Sequence, residues 1–358
     1  MDLLTAAVAA FLVCTTLLFV LRPVAVAVGL LDRPGGHKQH RGEIPVVGGI
    51  AIFAGVAVAA LAAQGLDHHA VMLLVTGFML VGLGVVDDRF DLPASVRLMG
   101  HLTAAVILVS GSVYKVAGLG DLFGFGEVNL GVLAWPFTVL AAIALINAFN
   151  MLDGMDGLAG GVALVACIGM VVLVGGQDGS PAVLLMATCM VGALSAFLLF
   201  NVPSSFNRGV RTFMGDAGST LLGFVLAALA LALVQPGHGS VSPVCILWLM
   251  PIPIFELFAS TTRRVLQGKS PLAADNDHFH HRLLAAGFSV RGIFFTYFSF
   301  TLGSVAIGIY GCRTDMPESG LFAGFCLLFA LWMGFVAVAH RVAAFLPHGW
   351  HREHQNWA

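Results

Sequence analysis

Charge is what this sequence has least of. Asp, Glu, Lys and Arg make up 10% of its 358 residues, where a soluble domain carries roughly 25%. Hydrophobic residues make up 58%, and mean hydropathy is +0.94. A deficit spread over the whole length excludes a soluble enzyme and a disordered chain, and leaves a polytopic helical membrane protein. Alternating segments about ten residues long are missing too, which excludes an outer-membrane barrel. CxxC pairs are absent. The six cysteines (Cys14, Cys167, Cys189, Cys245, Cys312 and Cys326) read as small buried hydrophobes, five of them inside apolar runs. The first apolar stretch, Leu3 to Leu21, has no basic leader and is too long for a signal h-region, so it reads as a first span. A net charge of -2 names no partner by itself, and none of the charge placement asks for a nucleic acid.

What is there is a succession of long apolar runs. Eleven reach spanning length, at about 3–22, 44–63, 70–86, 96–114, 131–149, 158–176, 181–200, 217–235, 242–260, 292–311 and 320–345. Pro136 interrupts the fifth, which is retained because neighbouring helices in a bundle re-satisfy a freed carbonyl. The expected fold is an all-α integral membrane protein of about eleven transmembrane helices. It has one polytopic domain over 1–345 and a short tail over 346–358. With an odd number of spans, loops alternate between two sets. Loops 23–43, 87–95, 150–157, 201–216 and 261–291, the tail and their span ends hold fifteen of the seventeen Lys and Arg; the other set holds Lys115 and Arg313. The positive-inside rule makes the first set cytoplasmic.

The first set of loops also carries the acids and imidazoles that fall in motifs. Asp87, Asp88 and Asp91 form a DDxxD cluster at the end of the third span. Asp153 and Asp156 lie in NAFNMLDGMDG after Asn147 and Asn150; Asp216 lies in FMGDAGS; Asp275 and Asp277 precede His278, His280 and His281. Carboxylates crowded on one face repel one another and need a cation or protons to coexist. A hard divalent ion with oxygen ligands, Mg²⁺ or Mn²⁺, answers that need and is commonly completed by substrate phosphates. Gly154, Gly157, Gly160 and Gly161 open the sixth span, and Gly215 and Gly218 the eighth, where helix N-termini offer amides to phosphate oxygens. Lys38, Arg41, Arg208, Arg211, Arg264 and Arg282 compensate an anionic substrate.

Blander readings stand beside these. A DDxxD also fits a helix-terminal charge cluster, Asp216 or Ser219 fits an N-cap, and HxHH fits a solvated loop. A structural zinc is disfavoured because no cysteine lies near HxHH. His348, His351 and His354 read as a surface tail. Glu256, inside the ninth span, is a functional candidate by its depth, but also fits a simple pair with Arg263 or Arg264. The Asn- and Asp-rich segment has the weakest bland account.

The order DDRFD, NAFNMLDGMDGLAGG, FMGDAGS, DNDHFHH resembles the polyprenyl-phosphate N-acetylhexosamine-1-phosphate transferase family, and residues 31–49 resemble its first cytoplasmic loop. The likeness spans about 31–290 and leans to the bacterial N-acetylglucosamine branch rather than the muramoyl-pentapeptide branch. Asn276 departs from it, standing where that branch often has Arg. The resemblance implies attack of undecaprenyl phosphate on the β-phosphorus of UDP-N-acetylglucosamine, with loss of UMP, on the cytoplasmic face of a bacterial inner membrane. It implies metal binding by Asp216 and Asn150. Asp87 becomes the base or phosphate-activating group, Asp88 its support, and Asp153 an organiser of the loop or pyrophosphate. Asp156 and Phe213 match positions that hold uracil. His278, His280, His281 and Arg282 match phosphate contacts, as do Lys38 and Arg41 more weakly. Other readings are a different UDP-N-acetylhexosamine donor, a prenyltransferase, which needs a second Asp-rich motif, and an ion-coupled transporter, which needs mid-span charges and repeats. A homodimer stays open.

Overall fold

The computed structural model describes residues 1–32, 42–63, 67–112, 114–175, 180–202, 210–235, 241–270 and 278–343. These are almost entirely helical. The exceptions include a two-residue antiparallel ribbon, β1 (Leu31–Asp32) with β2 (Ile44–Pro45). The helices are α1 (Leu3–Val28), α2 (Gly48–Ala62), α3 (His68–Phe90), α4 (Ala94–Ser112), α5 (Ala134–Leu152), α6 (Leu158–Val174), α7 (Pro181–Asn201), α8 (Gly215–Leu233), α9 (Pro243–Leu249), α10 (Pro251–Leu266), α11 (Phe279–Ala285), α12 (Val290–Arg313) and α13 (Glu318–Ala343).

Helix α8 is the axis of the bundle. Residues 217–233 are buried along their whole length, because α2, α3 and α5 pack around it. Helices α1 and α13 are apolar yet mostly unburied, which is how a helix facing acyl chains reads. Among the described residues, eight helices are long and apolar enough to cross a bilayer. A bent pair makes up to nine, and α2 and α6 are shorter apolar helices.

Prolines explain where the observed helices depart from the expected runs. Pro136 does not interrupt its span: it falls in the first turn of α5, where an N–H has no intrahelical acceptor anyway. The ninth expected span is broken. Its halves α9 and α10 meet at 92° around Met250. Pro251 and Pro253 lack the N–H groups that would have carried the ladder through.

One expectation about the cysteines fails. Cys14, Cys167 and Cys189 are buried, but Cys326 is exposed, and Cys245 and Cys312 form a disulfide. Packing of α9 against α12 sets their Cα atoms 6.3 Å apart across 67 residues of sequence, within disulfide reach. Sequence spacing carries no trace of such a meeting. The bond lies at the end of the bundle that also carries Lys115 and Arg313. There a hairpin-like loop over 115–130 is tied to α13 by the Asp121 N–H donating to Glu318.

Candidate active site

At the other end of the bundle α3 and α5 finish and α6 and α8 begin, so four helix ends bring their polar residues together. Asp88, on the last turn of α3, spends both carboxylate oxygens on α8. Oδ1 accepts the Asp216 N–H at 2.8 Å and Oδ2 the Ala217 N–H at 3.2 Å. These are first-turn donors without intrahelical partners, so Asp88 caps a helix from outside it. The approach needs two side chains to be missing: a Cβ on Gly84 would overlap the backbone of Ala217, and one on Gly49 that of Gly218. The segment before α8 is laid against β2: the Phe213 N–H donates to Pro45 O at 3.0 Å, and the Gly48 N–H donates to Phe213 O at 2.9 Å.

Asp87 is buried. Its Oδ1 accepts the Leu92 N–H at 2.8 Å, and Arg97 Nη1 reaches its Oδ2 at 3.4 Å. The same Nη1 lies 3.8 Å from Asp216 Oδ2. Arg97, one turn into α4, therefore bridges two of the expected site carboxylates. Its only signal in sequence was that it is basic and close behind DDRFD. The other oxygen of Asp216 accepts from Asn150 Nδ2 at 2.5 Å, and that amide also donates to Ser219 Oγ at 3.0 Å. The pair expected at a metal is thus in direct contact.

Asp153 caps the C-terminus of α5. Burial pushes its carboxyl well above the usual range, and the nearby charges of Asp216, Asp88 and Asp156 push the same way. Asp156 is ion-paired with Arg211, whose guanidinium lies 5.8 Å from the Phe213 ring centre. Buried Asn201 was missed by sequence reasoning. It accepts the Gly157 N–H and donates to Thr212 O at 2.9 Å, joining the Asp156 loop to the Phe213 segment.

His278, His280 and His281 form a cluster, with ring centres 5.7 Å apart for the first two and 4.2 Å for the last two. Glu256 meets His278 rather than serving merely as a partner for Arg263 or Arg264: its Oε1 lies 2.8 Å from His278 Nδ1. The bare Cα of Gly154 lets the His280 ring sit against the Asp153 loop. His280 is buried with no hydrogen-bond partner on either nitrogen among the described residues, and burial holds its pKa down at about 3. Arg282 is half-buried on α11. Lys38, Arg41, Arg208, Asp275, Asn276 and Asp277 lie outside the described residues. Among the described residues, no three His, Cys, Asp or Glu side chains form a ready-made metal cage.

Long apolar helices, with carboxylates, guanidinium groups and imidazoles gathered at one end of their bundle, define a multi-pass membrane protein. Residues 70–234 match the model of glycosyl transferase family 4. The chain is 36% identical to the undecaprenyl-phosphate alpha-N-acetylglucosaminyl 1-phosphate transferase of Yersinia pestis, over 94% of this chain and 92% of that protein. It is 36% identical to the protein of that name from Escherichia coli strain K12, over 97% and 95%. The corresponding figures for Haemophilus influenzae are 33%, 91% and 91%. The chain belongs to glycosyl transferase family 4, in its group of undecaprenyl-phosphate alpha-N-acetylglucosaminyl 1-phosphate transferases. The family read from the motifs holds.

Proposed function

We propose that this protein transfers N-acetylglucosamine 1-phosphate from UDP-N-acetylglucosamine to undecaprenyl phosphate, an early membrane step of a cell-surface polysaccharide. A phosphate oxygen of the lipid attacks the β-phosphorus of the sugar nucleotide. The bond from that phosphorus to the oxygen bridging to the α-phosphate breaks, and UMP leaves. The observation that carries this reading is the Asp87–Arg97–Asp216 bridge at the bundle end. The bridge is net negative, so a further cation is needed there before a membrane-held anion and a soluble dianion can meet.

The donor set fits Mg²⁺, with Mn²⁺ also suited: it is all oxygen, and the crowding of Asp153 by Asp216, Asp88 and Asp156 is the kind a divalent ion relieves. Asp216 and Asn150 would hold the ion. When bound, it supplies charge neutralisation and polarises phosphoryl oxygens. Asp88 works through α8, holding Asp216 in place, while Asp87 orients Arg97 and serves as the base or phosphate-activating group that the family resemblance implies. Asp156 and Phe213 serve the uridine, and Arg211 shapes that subsite by pairing with the acid. His278, His280, His281 and Arg282 serve the diphosphate, joined by Lys38 and Arg41. The site faces the cytoplasm of a bacterial inner membrane. In support, the loops that the sequence assigns to its side and their span ends carry fifteen of the seventeen basic residues, and the Cys245–Cys312 bond sits at the opposite end, where an oxidising compartment is needed. Counting α2, α6 and the bent pair as crossings makes eleven spans.

The test is label transfer by purified protein, given undecaprenyl phosphate, Mg²⁺ and a panel of UDP-sugars, with EDTA as control. Metal-dependent lipid labelling and UMP release from UDP-N-acetylglucosamine are expected. Labelling from another UDP-N-acetylhexosamine alone would overturn the donor, and none from any donor would overturn the reaction.

A further inference from the structure

Glu256 is a carboxylate where an apolar side chain would be expected. It lies on α10, past the 92° bend, and is 2% exposed. Burying a carboxylate at this depth is costly unless it is paired. Here the pairing is specific. Its Oε1 meets His278 Nδ1 at 2.8 Å, and both oxygens accept the Phe279 N–H at 3.2 Å. One buried acid thus holds the side chain of the first HxHH residue and the backbone of the next.

The contact has a directional consequence. A ring whose Nδ1–H donates to a carboxylate is fixed in plane and tautomer, and turns Nε2 away from that carboxylate. His278 lies in turn along the His280 ring, and His280 lies against Gly154 in the loop carrying Asp153 and Asp156. A continuous line of contacts therefore runs from Glu256 to the carboxylate loop. Helix α10 follows, across the bend, a helix that is tied to its neighbours. Short helix α9 is bonded to α12 through Cys245 and Cys312, the Trp248 indole N–H donates to Leu321 O at 3.2 Å, and Ser304 Oγ donates to Trp248 O at 3.0 Å.

We propose that Glu256 is the positioning residue of the imidazole cluster: by fixing the ring and backbone at His278 and Phe279, it aims the HxHH segment at the diphosphate of the sugar nucleotide. The role of that segment rests on the transferase reading above.

The experiment compares the full chain in lipid nanodiscs with E256Q, E256D and E256A. KM for UDP-N-acetylglucosamine and for undecaprenyl phosphate are measured separately from kcat, and ¹⁵N-histidine spectra report the ring tautomers. The His278 signal is assigned by its loss in H278Q. E256Q keeps an acceptor oxygen, so it should stay folded with an unchanged melting midpoint. Its KM for the sugar nucleotide should rise about tenfold while KM for the lipid stays put, since outer partners of this kind are worth roughly 10–100-fold. E256D should recover part of the loss, and E256A should lose the Nδ1-protonated His278 signal. An unchanged His278 signal in E256A, or equal rises of both KM values in E256Q, would overturn the proposal. If E256A does not fold, E256Q decides alone. Absence of transfer in the wild type would sink the transferase reading, while the His278 spectrum would still report on Glu256.

Discussion

Two carboxylates share one guanidinium at Asp87, Arg97 and Asp216. Arg97 offsets the repulsion between them, so its loss strikes both at once. Arg97→Gln should lower turnover about 10²-fold with little change in fold, since removing one preorganised donor costs roughly that much. Asp216→Asn should lose nearly all turnover and weaken metal dependence. Steady-state label transfer across a Mg²⁺ series checks both; full activity in Asp216→Asn would remove that residue from the metal site. His280 makes a pH prediction. Its folded pKa of about 3 lies below the ordinary value of 6.5, so the unfolded chain takes up this proton first as pH falls. The stability of the neutral buried ring is fully present above about pH 6.5 and drains away toward pH 3, at up to about 1.4 kcal/mol per pH unit. Thermal melts of the protein and of His280→Gln between pH 7 and 4.5 should diverge, the variant sloping less.

The decisive element is the N-terminus of α8. Its first-turn amides are capped by Asp88 from α3, its preceding strand-like segment lies on β2, and its closeness to α2 and α3 depends on Gly49 and Gly84. Gly84→Val places a Cβ into the backbone of Ala217, which cannot rotate out of the way as a side chain could. We expect a loss of about 1–3 kcal/mol or more, visible as a lower melting midpoint, with turnover falling because Asp216 moves with the helix. An unaltered midpoint would show that α3 and α8 can separate without harm.

At the scale of the whole molecule, the bundle has two unlike ends. One gathers Asp87, Asp88, Asp153, Asp156, Asp216, the HxHH imidazoles and Arg97, and the other holds the Cys245–Cys312 bond. Closing a loop of 67 residues stabilises a fold by up to about 4 kcal/mol in the chain-entropy account. Reduction, or Cys245→Ser, should therefore lower the melting midpoint. In sealed right-side-out vesicles, an impermeant maleimide should label these cysteines only after reduction, in a variant without exposed Cys326. Labelling solely in inverted vesicles would reverse the proposed orientation.

The membrane class and the family were legible in the amino-acid order, because hydropathy and local motifs are properties of short segments. Asp87, Asp88, Asn150, Asp153 and Asp216 were singled out that way, and packing brings them together at one end of the bundle. What each does was not legible. Asp88 and Asp216 are 128 positions apart and meet only because two glycines let helices close. Arg97 gains its meaning from where α4 turns after Pro93. The 92° break, the Cys245–Cys312 bond and the hold of Glu256 on His278 depend on which helices pack together. Contacts between residues distant in sequence are decided by packing, and no local pattern encodes them.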